Sequence, residues 1–414
     1  MHSDLETLSR PPGSQPAEVQ VRYLWITWTH PFPERDGQRL YTGRLIEAVA
    51  RAGAEIDVLC FVSEAPEDLP AEPSPRIRWH TVARSSRPRW LSPLSQLPNL
   101  AHRCATPAMR RELRRLLEED RWDAVVLDGL SAGWALPFVE NIPAYRRPRI
   151  VHLSHNHEAS LRGTVARDYR GNPAMAFALK RDAKKCRRLE ERVVAASALV
   201  TAITEEDAAL YRETHPDRDF VTLPPGYAGA HAAPRQITSA LPRRAVIVGS
   251  FHWVAKRMNL EAFLGIADPL FAEAGAELQV VGSGDRDFLD SLRRRLKATE
   301  IVGPVDDVVP YLREARAAVV PERTGGGFKL KILDYVFNRV PVLAMQGSVA
   351  GTPLRAPDSV QLYDDLEGLA RGVLALIDDV ETAERMQNAA YDLCRDRFDW
   401  AERGRLLIRE TAAA

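Results

Sequence analysis

The feature that most constrains this chain is an alternation, played twice, of short apolar runs with amphipathic helical stretches. VRYLWITW (residues 21–28) is rich in branched and aromatic residues and predicts a buried strand. After the loop THPFPERDGQR, Leu45, Ile46, Val49 and Ala50 recur at helical spacing, with Gly53 where a helix C-cap belongs. EIDVLCF reads as the next strand, so the chain opens as strand, loop, helix, strand, the βαβ unit of a parallel sheet. DAVVLDG (residues 123–129) and RIVHLSHN (149–156) continue the strands. A long helix is predicted from about Ala174 to Ala196, and Thr204 with Asp207 resembles a capping pair for another.

The pattern restarts after residues 228–244, an Ala/Pro-rich, non-periodic stretch that reads as a linker. AVIVGS is a strand, about Met258 to Ala274 a helix, ELQVVGSG a strand, Asp287 to Lys297 a helix, and EIVG a short strand. RAAVVPE is followed by Gly325, Gly326 and Gly327, which open the helix FKLKILDYVFNRV. The final segment, FDWAERGRLLIRETAAA, is amphipathic and long enough to cross back over the first half. The expected division is a flexible tail at 1–18, a Rossmann-like domain at 19–235, the linker at 228–244, a second Rossmann-like domain at 245–395 and a crossover helix at 396–414. Two such domains leave a cleft where the carboxyl ends of their strands face each other.

Length and composition agree. A chain of 414 residues exceeds one ordinary core. Its 56 Lys plus Arg balance 56 Asp plus Glu, where a dedicated nucleic-acid binder carries a basic excess. The cysteines (Cys60, Cys104, Cys186, Cys394) form no CxxC pair, which argues against a zinc ribbon or a disulfide-rich module and fits a reducing compartment. No apolar run approaches the ~20 residues that cross a bilayer, and the opening residues show no secretory signal. The expectation is a cytoplasmic protein. One segment, residues 76–121, is locally basic, with Arg84, Arg87, Arg89, Arg103, Arg110, Arg111, Arg114 and Arg115 interleaved with Trp79 and Trp90. It reads either as a peripheral contact to the inner face of an anionic membrane or as a solvated helix face paired with Glu112, Glu118 and Glu119.

The sharpest chemical signal is PERTGGGFKLKILDY (residues 321–335). Three glycines let backbone approach a ligand closely, and a following helix N-terminus offers unpaired N–H groups that favour a phosphate or diphosphate. Lys329 and Lys331 add positive charge, and Asp334 can accept from sugar hydroxyls. A tight strand-to-helix turn with surface lysines is the plainer reading. VVGSGD (280–285) lacks the third glycine of a dinucleotide fingerprint, since residue 287 is Asp, so NAD is disfavoured. His155 ends a strand within HNHE (155–158); a cleft residue, a structural hydrogen bond and a metal ligand are the readings, the last resting on ligands only two apart.

The segment VVPERTGGGFKLKILDYVFNRVPVLAM resembles the donor site of retaining glycosyltransferases of family 4, in the subgroup with a GGG-x-x-x-K motif. The opening WTHPFPERDGQRLYTGRLIEAVARAGAEIDVL, the LSHNHE segment and AVIVGSFHWVAKRMNLEAF are similar to other segments of that family, in order. The resemblance implies the GT-B fold and transfer of a sugar from a nucleotide-diphosphate sugar, such as a UDP- or GDP-sugar, with retention at the anomeric carbon and no metal or other cofactor. It implies that the N–H groups of Phe328, Lys329 and Leu330 hold the diphosphate, that Asp334 stands where a Glu binds ribose, and that Lys256 and Arg257 neutralise the β-phosphate. Ser250 occupies the family's usual Arg position. Gly326 occupies the position of its first Glu, and Glu322 is the nearest replacement. His155 would line the reacting sugar, Gly37 would let its loop approach the acceptor or β-phosphate, with a simple turn glycine as the plainer reading, and Gly282 and Gly303 would border the nucleotide base. Two rival functions fit the same fold: a nucleotide-sugar epimerase, and a non-catalytic binding or partner subunit.

Overall fold

The computed structural model describes residues 21–34, 36–62, 74–84, 92, 94–322 and 327–414. Seven strands form the first sheet: β1 (Arg22–Ile26), β2 (Glu55–Val62), β3 (Ile77–Ala83), β4 (Ala124–Asp128), β5 (Arg149–Ser154), β6 (Leu199–Ala202) and β7 (Phe220–Thr222). Their order is β3-β2-β1-β4-β5-β6-β7, and every pairing is parallel. Six strands form the second: β8 (Arg244–Val248), β9 (Glu277–Val281), β10 (Thr299–Gly303), β11 (Ala317–Val320), β12 (Val342–Met345) and β13 (Gln361–Tyr363). That sheet runs β10-β9-β8-β11-β12-β13, again all parallel.

Helices cover both faces of each sheet, which is why central strands such as β4 are buried at every position and read as unbroken apolar runs. In both sheets the strand order reverses beside the first strand, between β1 and β4 and between β8 and β11. A crevice opens at such a switch point, outside the carboxyl ends of the strands.

The C-terminal helix Trp400–Ala413 returns to the first domain and lies on the helix Gly37–Arg51. A Cβ on Gly404 would fall 2.4 Å from the Ala48 carbonyl oxygen, so the two backbones touch and only glycine fits. Trp400 and Leu407 join the core around Tyr23, Tyr41 and Leu45.

Local structure departs from expectation in four places. The stretch 228–244 is irregular but fastened to the second domain. Arg235 donates to the carbonyls of Leu312 (2.9 Å) and Ala315 (2.5 Å), Ile237 is in the core, and His231 stacks on Phe337 at 4.2 Å. β3 forms inside the Arg-rich segment, where the charges conceal a half-buried strand. There Arg115 pairs with Glu112 and Glu119, Arg114 lies over the Phe138 ring (5.1 Å) and Arg84 over Trp28 (5.3 Å). Arg87, Arg89 and Trp90 lie outside the described residues. The helix expected from Met258 begins at Val254, which brings Lys256 and Arg257 into its first turn. The helix expected to open at Phe328 begins at Lys331 and ends at Phe337. Phe328 is instead drawn into apolar contacts of both domains, including Phe398 at 5.8 Å between ring centroids.

Candidate active site

On the first-domain side the site is built on the ends of β4 and β5. Asp128, the last residue of β4, is fully buried. One carboxylate oxygen accepts from Trp25 Nε1 (3.0 Å) and Thr42 Oγ1 (2.8 Å), and the other lies 2.5 Å from Nε2 of His155. Burial pushes this carboxyl up, but the His155 ring and the three hydrogen bonds outweigh it and hold it below the usual range. His155 follows β5, and its ring meets the edge of Tyr41 at 5.3 Å. The imidazole is therefore oriented by a buried carboxylate, with only a tenth of its side chain open to solvent.

The second-domain side is cationic. Glu322, just after β11, forms an ion pair with Lys331, and both side chains are nearly buried. Burial pushes Glu322 up, yet Lys331, Lys329 and Lys256 together hold it below the ordinary range. Lys329 is pulled down by burial and by Lys331 and Lys256, with Glu322 opposing. Lys256 is pulled down by burial and by Lys331, again with Glu322 and also Asp36 opposing. Three lysines thus surround the Glu322 carboxylate, with Asp36 and Asp207 acting on Lys256 and Lys329 as well. A cluster with more cations than its nearest carboxylate balances is suited to an anion. Arg257 sets its guanidinium over the Phe288 ring at 5.7 Å. Asp334 sits one turn into the helix Lys331–Phe337, and burial alone pushes its carboxyl up to about 7.

The halves meet at these residues. Asp36 caps the helix Gly37–Arg51 by accepting from the Arg39 N–H at 3.0 Å, and its charge reaches Lys256 in the other domain. A Cβ on Gly37 would lie 3.1 Å from Leu330. Gly327 has φ of 74°, and a Cβ there would fall 2.2 Å from Asn156 Oδ1 and 3.1 Å from the His155 carbonyl oxygen. The sequence-derived residues Gly37, His155, Lys256, Glu322, Gly327, Phe328, Lys329, Leu330 and Lys331 thus gather at one interdomain seam.

The remaining candidates have other positions. Gly325 and Gly326 lie outside the described residues. Ser250 follows β8 and is partly exposed at the carboxyl edge. Gly282 has φ of 137°, and a Cβ there would sit 1.8 Å from the Gly249 carbonyl oxygen, so close backbone packing explains this glycine. Its N–H donates to the carbonyl of Gly303 at 2.7 Å, which places Gly303 in the same turn cluster. Within the HNHE segment His157 caps the helix Glu158–Asp168 by accepting the Ser160 N–H. Among the described residues no cluster of three or more His, Cys, Asp or Glu is placed to hold a metal. Sequence reasoning missed Asp128, Trp25, Thr42 and Asn156. The available signal for Asp128 was a carboxylate ending an otherwise apolar strand, immediately before Gly129.

Residues 36–226 match the model of the glycosyl transferase 4-like domain, and residues 242–379 match that of glycosyl transferases group 1. No curated protein sequence matches the chain. Among solved structures, a sucrose-phosphate synthase from Thermosynechococcus elongatus superposes with a TM-score of 0.70 at 18% identity, over 95% of this chain and 100% of that one. Anabaena HepE in complex with UDP and glucose gives 0.64 at 11% identity, and WaaG, a glycosyltransferase involved in lipopolysaccharide biosynthesis, gives 0.62 at 15%; both span 95% of this chain and 100% of their own. These likenesses establish the fold, and the two domain models account for the two halves in turn: the protein is a glycosyltransferase of the GT-B fold.

Proposed function

We propose that the chain transfers a sugar from a nucleoside-diphosphate sugar to an acceptor, with retention at the anomeric carbon, as the family 4 resemblance implies. The observation that carries this reading is the cluster of Lys256, Lys329 and Lys331 around the carboxylate of Glu322, facing the seam with His155. A diphosphate leaving group gains negative charge as the sugar bond breaks, and fixed cations in a water-poor pocket stabilise that charge without rearrangement. UDP and UDP-glucose occupy the HepE structures of the same fold, which supports a nucleotide sugar as the donor.

In this reading Lys256, Lys329 and Lys331 hold the diphosphate, Asp334 accepts from the ribose, and His155, oriented by Asp128, lines the reacting sugar. Glu322 stands in for the carboxylate absent at Gly326. Gly282 and Gly303 shape the turn beside the base. Arg257, whose guanidinium lies over Phe288, is the second cation of the pair that the resemblance assigns to the β-phosphate. The reducing cytoplasm suits four buried, free cysteines, and no described helix is long and apolar enough to span a membrane.

A thermal-shift screen with UDP-, GDP- and ADP-sugars identifies the donor base. Transfer to an acceptor panel, followed by NMR of the anomeric linkage, then tests the reaction. An α-linked product from an α-linked donor is the expected result, and inversion would refute retention. Epimerised donor without acceptor would favour the epimerase, while tight donor binding with neither hydrolysis nor transfer would favour a non-catalytic subunit.

A further inference from the structure

The helices Glu158–Asp168 and Pro173–Ala196 form an antiparallel hairpin that the reaction does not explain. Glu190 accepts the N–H groups of Glu158 and Ala159 at 2.8 Å each, which pins the start of the first helix against the last third of the second. From Glu190 back to Pro173 the second helix extends about 25 Å. The hairpin therefore projects from the carboxyl edge of the first sheet, where β5 ends beside the site, and its tip stands clear of the core.

That tip is apolar. Met175 is 51% and Phe177 67% exposed, and Leu94, at 83%, lies on a segment tied to the same helix. The ties are Asn99 N–H to Asp182 Oδ1 (2.7 Å) and Lys185 Nζ to the Ser92 carbonyl (2.9 Å). Behind the apolar tip is a basic collar. Residues 162–188 carry nine Lys and Arg against two Asp, in a chain whose charges balance overall. Phe177, Lys180, Lys184 and Arg188 are all exposed, and their spacing of three or four residues puts them on one helix face. Among the described residues none of those three cations joins an ion pair, unlike Arg115 in the Arg-rich segment.

We propose that this hairpin tip docks on an anionic phospholipid bilayer, with Met175 and Phe177 entering the headgroup region and Lys180, Lys184 and Arg188 meeting the phosphates. Charge complementarity selects the occupant. A few apolar side chains within a broad cationic face are too small a core for a stable protein interface, whereas an apolar edge flanked by cations suits the surface of an anionic bilayer.

Flotation of the full chain with phosphatidylcholine vesicles, with and without phosphatidylglycerol, tests this. Binding is expected only with phosphatidylglycerol and is expected to weaken as salt rises. Lys180→Glu with Lys184→Glu should lower the partition coefficient roughly tenfold or more. Met175→Ser with Phe177→Ser should lower it several-fold, with the melting temperature of each variant unchanged because the side chains are exposed. A control, Arg114→Glu in the Arg-rich segment, should bind like the parent. Three results would each overturn the proposal: no binding to phosphatidylglycerol vesicles, equal binding by the hairpin variants, or a dimer that Phe177→Ser dissociates, which would assign the tip to a second copy.

Discussion

Asp128 is fully buried and its carboxylate bonds Trp25, Thr42 and His155, so its direct route to a reaction at the seam runs through the imidazole. Asp128→Asn keeps the shape but removes a charge-assisted hydrogen bond. Turnover should fall on the order of ten- to a hundredfold while donor affinity by calorimetry stays within about twofold. His155→Ala should show the same split, and equal loss of both quantities would make the pair merely structural. Glu322 gives a prediction of opposite sign. Glu322→Gln removes the carboxylate that pairs with Lys331 among three lysines, so UDP should bind several-fold tighter, while Lys331→Ala should weaken it by on the order of 1–3 kcal/mol. If Glu322 also contacts the sugar, the same Gln variant turns over more slowly despite binding better. Asp334 ties stability to pH. Its carboxyl titrates near 7 in the fold against an ordinary 3.8, so the native state holds a proton that the unfolded chain releases. Stability from this group therefore falls as pH rises from about 4 to about 7. Asp334→Asn should gain more in melting temperature over the parent at pH 8 than at pH 5; an equal difference at both values would refute the shift.

Elements show where the sequence was legible. The helix at Pro173–Ala196 lies within one residue of its expected start, because a proline at its first position and a long polar-apolar alternation leave few alternatives. Thr204 accepts from the Asp207 N–H at 3.1 Å, the local capping geometry that spacing alone implied. The β8–β12 strands were legible as short apolar runs that end at glycine, proline or polar residues. What failed was non-local. The helix expected at Phe328 starts three residues later because a phenyl ring is wanted between the domains, and no window of sequence contains Phe398 beside Phe328. Asp128 looked like the polar stop of a strand because its partners lie 86 and 103 residues before it and 27 after. The linker reads as free because its anchors, Leu312, Ala315 and Phe337, are far along the chain. At element scale, Gly404→Ala should cost about 1–3 kcal/mol, since the new methyl meets the Ala48 carbonyl. Denaturant unfolding measures it, and an unchanged midpoint would mean the two helices can part without penalty.

For the whole molecule, the fastening of residues 231–237 to the second domain leaves a short hinge. Two chain crossings lie side by side there. Tyr227 N–H donates to the Phe398 carbonyl at 2.8 Å, Arg403 donates to the Pro224 carbonyl at 3.0 Å, and Gly226 has no room for a Cβ beside Trp400. Opening about this point separates Gly37 from Leu330 and Asn156 from Gly327 while Trp400 keeps its seat. A donor whose diphosphate rests on the lysines and whose sugar meets His155 favours the closed arrangement, because it gains contacts in both domains only there. Small-angle scattering should therefore give a smaller radius of gyration with the true donor than with its nucleoside monophosphate. An identical radius under saturating donor would show that the cleft does not move.

The return of Trp400–Ala413 onto the helix Gly37–Arg51 has a consequence for how the protein is made. The N-terminal sheet and its helices leave the ribosome first, yet one outer layer of that domain consists of residues that follow the whole second domain in the chain. Tyr41, Leu45 and Ala48 then wait with an uncovered surface while the whole second domain is translated and folded. Cutting the gene at residue 226 would not yield two independent halves. A fragment ending there keeps every strand of its sheet but lacks its cover, and supplying residues 400–414 as a separate peptide, or joining them ahead of residue 21 in a permuted chain, is what would restore it.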